Sequence, residues 1–317
     1  MRRVAILTVM LAVGLAVAGC GGGGGGTTTD TQSAESTDKS GDSKTVTAPS
    51  WAAPLLRKKG SEGAAVMASS DFAVGGNRVS FLLVRDDSSL VRVPLADVYY
   101  QPTAGGPTKW AIARLVSIGV KASPAEKDDV KEIYVAKLQL PRTGKQWIVI
   151  QPRGIAFQGF QILDVKAKPT AIAVGEQAPA SKNPTLATKA ASKITTARPP
   201  DTGLLRYSVA ESLQAKTPFV VAFATPAFCE SRTCGPTVDV VDAVRKRFES
   251  KGIRFIHVEI YEDNLPGNGV NRSVKEWKLP TEPWVYVVDR GGVVRDRFEG
   301  AISVPELEQS IRRNLLN

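Results

Sequence analysis

The spacing of apolar residues changes part-way along this chain of 317 residues, and this change constrains the fold more than any other feature. From about residue 64 to residue 167, apolar and polar residues alternate in short runs that turn-forming residues interrupt. From about residue 204 onward, continuous apolar runs alternate with runs of helical period. Since a period of two indicates strands and a period of about 3.6 indicates helices, the sequence predicts a β-rich body followed by an α/β body.

The β-rich body is expected over residues 60–168. Turn signals, such as Gly-Gly-Asn at 75–77 and Gly-Gly-Pro at 105–107, separate its period-two runs. The runs lie at residues 78–84, 110–116, 133–140, 146–150 and 160–165. Several short strands at this spacing, with no amphipathic helix among them, predict an antiparallel β-sandwich.

Two segments of this body resemble a known family. Residues 71–81 are similar to the opening of small immunoglobulin-like (Ig-like) domains of bacterial exported proteins, and residues 134–147 are similar to the closing hairpin of such domains. The resemblance implies an all-β, immunoglobulin-like sandwich that serves as a spacer or as a protein-contact module.

Residues 169–203 are rich in Ala, Thr, Lys and Pro and are expected to connect this body to the next one, at 204–317. In the second body, the wholly apolar run 218–224 predicts a buried central strand. The other expected elements are helices at 208–215, 234–250, 270–277 and 305–315, a strand at 253–260 and a hairpin of 284–289 with 293–298. This order predicts a central mixed sheet flanked by helices.

The N-terminus predicts export and membrane attachment. Arg2 and Arg3 precede an apolar run, 4–18, that is shorter than the roughly 20 residues needed to span a bilayer. Such a segment is typical of a signal peptide, here 1–19, and its end, Leu-Ala-Val-Ala-Gly-Cys, resembles the bacterial lipobox. The resemblance implies lipidation of Cys20, which a flexible Gly/Ser/Thr linker over 20–59 follows. We therefore expect the protein on the extracytoplasmic face of the cell membrane, anchored by its N-terminal lipid.

Composition argues against several classes of function. Hydrophobic residues make up 43% of the chain and charged residues 23%, as in ordinary globular proteins. His257 is the only histidine, which leaves almost nothing for a His-built metal site or a His-based catalytic triad. The net charge of +10 is spread along the chain, so no nucleic-acid partner is expected. The sequence has no phosphate-cradling glycine loop, and no cofactor is expected.

Cys229 and Cys234 indicate the chemistry, because they are the two cysteines that lipidation of Cys20 would leave. They lie in one loop between the predicted central strand and the first turn of the following helix. The unpaired N–H groups and the positive dipole end of a helix N-terminus stabilise a thiolate and lower its pKa. Four intervening residues allow the two sulfurs to meet, as thiol–disulfide chemistry requires.

The second body resembles the thioredoxin-fold domains of membrane-anchored, extracytoplasmic proteins over residues 204–316. The matching positions are Phe228-Cys229, Cys234-Gly235-Pro236 at the helix start, Glu282-Pro283 before a strand, and Gly300-Ala301 before the last helix. The resemblance implies thiol–disulfide exchange with exported protein thiols and disulfides, or with a membrane redox partner, through catalytic Cys229 and Cys234. It also implies that Phe228, Pro236, Glu282 and Pro283 dock the substrate, with a cis peptide before Pro283.

The sequence departs from that family at the cysteines and on the central strand. Four residues separate the cysteines instead of two, and Gly-Pro follows the second one. Either Cys229 attacks and Cys234 resolves, or Cys234 attacks with Cys229 as its upstream partner. The family's buried acid on the central strand has no counterpart, because residues 219–224 are wholly apolar. An acidic group, Glu259, Glu262 and Asp263, follows the next strand, where a solvated strand end is expected and an acidic rim is the alternative.

Two other interpretations of the cysteine pair stay open at this point. A structural disulfide would make the protein a non-catalytic, tethered binding protein, since exported proteins often carry such bonds. Two thiolates with His257 would match the ligand set of copper chaperones of the Sco type, and soft sulfur suits Cu(I). Because His257 lies in a predicted buried strand, a core histidine is the main expectation and no metal is assigned.

Overall fold

The computed structural model of the chain describes residues 47–56, 63–118, 130–157 and 159–316. The predicted signal peptide, Cys20 and most of the predicted linker lie outside these ranges. In the described part, none of the helices has the length and apolar character needed to cross a bilayer.

The period-two segments form the strands of one eight-stranded sheet. A short helix, α1 (Ala53–Leu56), precedes it. The strands are β1 (Gly63–Met67), β2 (Phe72–Ala73), β3 (Gly75–Arg85), β4 (Leu95–Tyr100), β5 (Lys109–Ser117), β6 (Glu132–Leu140), β7 (Gly144–Pro152) and β8 (Gly159–Lys166). Their order is β1-β3-β6-β5-β4-β7-β8-β2, and every pair is antiparallel except β2 with β8.

Alternation along the strands builds the core of this sheet. In β6, Tyr134, Ala136 and Leu138 are buried, whereas the intervening Lys137 and the following Gln139 are exposed. The two ends of the sheet approach each other, since the Gln161 amide of β8 donates a hydrogen bond to the Ala65 carbonyl of β1 at 2.6 Å. The sheet therefore wraps around its own apolar interior.

The predicted hairpin at 134–147 is wrong, although both of its strands form. β6 pairs with β3 and β5, whereas β7 pairs with β4 and β8. The chain crosses from one part of the wrapped sheet to another between these strands. Period two identifies a strand and its buried face, but it does not identify the neighbouring strand.

The second sheet has four strands, in the order β10-β9-β11-β12. Its strands are β9 (Phe219–Phe223), β10 (Arg254–Val258), β11 (Trp284–Val288) and β12 (Val294–Glu299). The accompanying helices are α2 (Val209–Gln214), α3 (Cys234–Phe248), α4 (Arg272–Glu276) and α5 (Val304–Leu315). β9 and β10 are parallel, as a strand–helix–strand crossover requires, and β11 is antiparallel to both β9 and β12. The predicted mixed α/β content is confirmed, and its strands form two sheets in the described part of the chain.

Both faces of β9 are covered, which explains its continuous apolar run. Val220 and Ala222 share a core with α3 and α5. Phe219, Val221 and Phe223 face the opposite side. There they pack with α2, α4 and part of the connector, whose Ile172 and Ala178 are buried.

The eight-stranded sheet packs on the α/β part through charged as well as apolar contacts, within the compact unit Pro49–Asn317. Burial raises the pKa of Asp71, but the backbone N–H groups of Thr170 and Ala171 and the Arg297 guanidinium outweigh it and hold that pKa below its ordinary value. Arg297 Nη1 lies 3.0 Å from Asp71 Oδ2. The Glu299 carboxylate accepts hydrogen bonds from the backbone N–H groups of Ser70 and Asp71, each at 2.8 Å.

Candidate functional site

The two cysteines of the second body form a disulfide bond in the loop between β9 and α3. Their Cα atoms are 5.9 Å apart. Cys234 is the first residue of α3, a helix of 15 residues, and Cys229 lies in the preceding loop. The expectation that four intervening residues let the sulfurs meet is confirmed.

The two sulfurs have different surroundings. Cys234 is fully buried in the core beneath α3, whereas Cys229 is partly exposed. The Cys234 backbone N–H donates a hydrogen bond to Cys229 Sγ at 3.2 Å. The Thr233 side chain does not cap the helix. The Cys229 sulfur instead accepts a hydrogen bond from an N–H group at the helix start.

Hydroxyl groups extend the polar contacts of the outer sulfur. Ser231 Oγ lies 3.2 Å from Cys229 Sγ and 2.8 Å from Thr233 Oγ1. A helix N–H group and a hydroxyl group both favour negative charge on the sulfur they contact. This geometry favours Cys229 as the attacking or attacked sulfur and Cys234 as its resolving partner.

The wrapped sheet fixes the cysteine loop from one side. Arg232 has a positive φ of 55°, and its carbonyl accepts a hydrogen bond from the Val130 N–H at 3.2 Å. Ile118 and Ile133 belong to the same core cluster as Cys234. The β-rich body thus forms part of the support of the disulfide.

Glu282 and Pro283 lie beside the disulfide because of the register of the second sheet. β11 runs antiparallel to β9 with Trp284 opposite Phe223, so the residues before β11 lie next to the start of the cysteine loop. The Glu282–Pro283 peptide is cis, as predicted. One Glu282 carboxylate oxygen and the sulfurs of Cys229 and Cys234 all lie within 4.8 Å of one another.

The surroundings of Glu282 disfavour its ionised form. Burial, followed by the charges of Glu259 and Glu230, raises the pKa of Glu282 to about 7. Burial also raises the pKa of Tyr261, and Glu282 and Glu230 add to this effect. Among the residues that the structure describes, no cation forms an ion pair with Glu282.

The other predicted docking residues differ in exposure. Phe228 is 40% exposed and contacts Tyr261 edge-to-face, with ring centroids 6.3 Å apart. Pro236 and Pro283 are buried. Phe228 and half-buried Glu282 are therefore the docking candidates that a partner can reach.

His257 does not join the cysteines. It is buried in β10, with Nε2 3.0 Å from the Ala224 carbonyl oxygen and Nδ1 3.3 Å from Thr195 Oγ1. Among the described residues, Glu282 is the one further side chain with a metal-ligating atom that groups with the two sulfurs. The geometry gives the copper interpretation with His257 no support.

Sequence reasoning missed the burial of Glu259. This residue is 5% exposed, and its Oε1 accepts hydrogen bonds from the Thr196 N–H at 2.5 Å and from Thr196 Oγ1 at 2.7 Å. Its Oε2 has no hydrogen-bond partner among the described residues. The expected solvated strand end is therefore wrong for Glu259, although Glu262 and Asp263 are exposed. No local pattern distinguishes these three acids, because the covering residue comes from the connector.

Comparison with models of known protein families and with curated protein sequences gave no match for this chain.

Proposed function

We propose that this protein is a membrane-anchored, extracytoplasmic thiol–disulfide exchange protein that acts through Cys229 and Cys234. Its partners would be exported protein thiols and disulfides or a membrane redox protein. The observation that carries the proposal is the asymmetry of the pair: the outer sulfur is reachable at a helix N-terminus, and the inner one is buried. Exchange needs one accessible sulfur and one resolving sulfur close behind it.

The topology supports the finer assignment within this proposal. A parallel strand–helix–strand unit followed by an antiparallel hairpin and a C-terminal helix is the order of a thioredoxin-like domain. The β-rich body is proposed to be Ig-like, which its antiparallel strands allow. The signal peptide and the lipid on Cys20 complete the proposal and would place the disulfide outside the cytoplasm.

The proposed reaction begins with a partner thiolate that attacks Cys229 Sγ, or with a Cys229 thiolate that attacks a partner disulfide. Both routes pass through a mixed disulfide between Cys229 and the partner. Cys234 then leaves or attacks as the buried partner sulfur. Phe228 offers an exposed aromatic surface beside the reacting bond for an apolar part of the partner.

Trapping of mixed disulfides tests this proposal in cells. With Cys234→Ser, the Cys229 thiol cannot be resolved internally, and disulfide-linked complexes with exported proteins should accumulate. Cys229→Ser is the matched control and should trap none. Absence of complexes with both variants would favour a tethered binding protein with a structural disulfide.

The reduction potential of the pair gives an independent test. A value between about −120 and −270 mV, the range of known exchange proteins, is expected. A value below about −300 mV is typical of structural disulfides and would contradict the proposal.

A further inference from the structure

The buried sulfur of the pair needs a source of protons. When the disulfide opens, the electron pair from the broken bond goes to Cys234 Sγ, which lies in an apolar core. A thiolate there is costly because it has lost its hydration. β9 carries no acid, since Phe219–Phe223 is wholly apolar, and the proton has to come from another element.

We propose that the Glu282 carboxyl group exchanges this proton with Cys234 Sγ during thiol–disulfide exchange, an inference that rests on the proposed function. Among the described residues, Glu282 is the acid whose carboxylate oxygen lies within 4.8 Å of both sulfurs. One intervening water, or a small rotation of the side chain, spans this distance. Glu282, in the loop before β11, thus has the proton-exchange role for which the central strand offers no side chain.

The groups around Glu282 suit a carboxyl that alternates between its two protonation states near neutral pH. Glu230 faces it from the cysteine loop, and Glu259 and Tyr261 face it from the segment after β10. None of these groups brings positive charge. Burial and two neighbouring carboxylates hold the pKa of Glu282 at about 7, where an acid and its conjugate base are both available.

The proposed reaction oxidises a partner that carries two thiols. A partner thiolate attacks Cys229 Sγ, the partner–Cys229 bond forms, and the Cys229–Cys234 bond breaks. Cys234 Sγ takes the electron pair and the Glu282 proton, which leaves a Glu282 carboxylate. The partner's second thiolate then displaces Cys229, so the partner is oxidised to a disulfide and the protein is reduced to a Cys229 thiolate and a Cys234 thiol. In the reverse direction the Glu282 carboxylate removes the Cys234 proton.

The test measures how fast dithiothreitol opens the disulfide between pH 5 and pH 9. The full chain is used in detergent, with Cys20→Ser in every sample so that only one cysteine pair reacts. Each rate constant is divided by the thiolate fraction of dithiothreitol at that pH. The corrected rate of the parent protein should fall as pH rises through about 7, because Glu282 loses its proton there.

Glu282→Gln should remove this inflection and lower the corrected rate at pH 6 by at least about tenfold, since an amide does not supply the proton. Glu282→Asp should restore an inflection. Asp201→Asn is the matched control, because Asp201 is a second part-buried acid with a raised pKa that does not group with the sulfurs. It should keep the parent profile.

Two results would overturn the inference, and they differ in what they say about the function. A fast parent reaction whose pH profile is unchanged in Glu282→Gln would exclude the proton role and leave thiol–disulfide exchange intact. A parent reaction no faster than that of a short disulfide-bonded peptide, without an inflection near pH 7, would contradict both the inference and the proposed function.

Discussion

Two part-buried carboxyl groups, Glu282 before β11 and Asp201 near the end of the connector, have raised pKa values but opposite surroundings. Burial, then a hydrogen bond and repulsion from Asp242, raises the pKa of Asp201 to about 6. Cations compensate that pair: Arg245 Nη2 lies 2.6 Å from Asp242 Oδ1, and Lys246 Nζ lies 2.5 Å from Asp242 Oδ2. Glu282, whose pKa is about 7, faces carboxylates, a phenol and a disulfide instead.

A raised pKa does not by itself identify a functional acid. Asp201 and Asp242 lie beside Arg245, and Lys246 also pairs with Asp242, so cations offset the charge of this acid pair. Glu282 has no compensating cation among the described residues, and it lies beside the Cys229–Cys234 disulfide. The identity of the neighbours, more than the size of the shift, separates a structural carboxyl from a reactive one.

The largest expected effect comes from breaking the compensated cluster. Asp242→Ala leaves Arg245, whose side chain is 12% exposed, without its closest carboxylate. We expect a loss of about 2–3 kcal/mol in the free energy of unfolding at pH 7, because the part-buried guanidinium then keeps only the more distant carboxylates of Glu249 and Asp201. Guanidinium unfolding measures this loss. Lys246→Met, at a side chain that is 65% exposed, should change stability by less than about 0.5 kcal/mol.

If Asp242→Ala were as stable as the parent protein, cation compensation would not be what distinguishes the two carboxyl sites. The rate at which dithiothreitol opens the disulfide should stay unchanged in this variant. That second measurement separates damage to the fold from damage to the site.

Removal of the uncompensated acid should have the opposite effect on stability. The pKa of Glu282 rises on folding from its ordinary 4.5 to about 7, so the folded state binds the proton more tightly and loses stability as pH rises through this window. Glu282→Gln does not ionise. After allowance for partial exposure of the side chain, the variant should gain about 2 kcal/mol over the parent between pH 5 and pH 8.

Denaturant unfolding at several pH values checks the sign as well as the size. A difference between Glu282→Gln and the parent that is independent of pH would show that the carboxyl is not held against its ionised form. The control is Glu262→Gln, an exposed acid that should leave the pH dependence of stability unaltered.

Much of the fold follows from local pattern, and the partners of the strands do not. The apolar run at 218–224 predicts β9 because a strand covered on both faces has no polar position. The alternation at 133–140 likewise predicts β6 and its buried face. Which strand lies beside β6 depends on contacts across the wrapped sheet, and this is why the hairpin prediction at 134–147 is wrong.

Only part of the site can be predicted from the sequence, for a related reason. Cys229 and Cys234 are close in sequence, and the helix that follows them is evident from its period. Glu282 comes next to them only through the antiparallel register of β11 on β9. The central strand therefore carries no acid, whereas the sheet places Glu282, from the neighbouring loop, beside the disulfide.

Adding a cation to the uncompensated side should make Glu282 resemble Asp242. Glu230 is exposed and is one of the two carboxylates that raise the pKa of Glu282. Glu230→Lys replaces repulsion by attraction, so the pKa of Glu282 should fall from about 7 by roughly one unit, or about 1.4 kcal/mol. The inflection in the corrected dithiothreitol rate measures this fall.

The position of the inflection, rather than the absolute rate, is the readout, because a lysine also attracts the attacking thiolate. Glu262→Lys adds the same charge at an acid that is not among the causes of the Glu282 shift, and it should move the inflection little. An inflection that stays in place in Glu230→Lys would mean that a group other than Glu282 sets it.

The smallest effect is expected at Asp201, where neighbours already offset the burial of the acid. Because folding raises its pKa from 3.8 to about 6, Asp201 lowers stability as pH rises through that window. Asp201→Asn keeps a donor for Asp242 and removes the titration, so unfolding measured at pH 4 and pH 7 should show a flatter profile, by about 1 kcal/mol or less. A flattening as large as that of Glu282→Gln would mean that Arg245 and Lys246 do not distinguish the two sites, and the contrast between a structural and a reactive carboxyl would then depend on the disulfide alone.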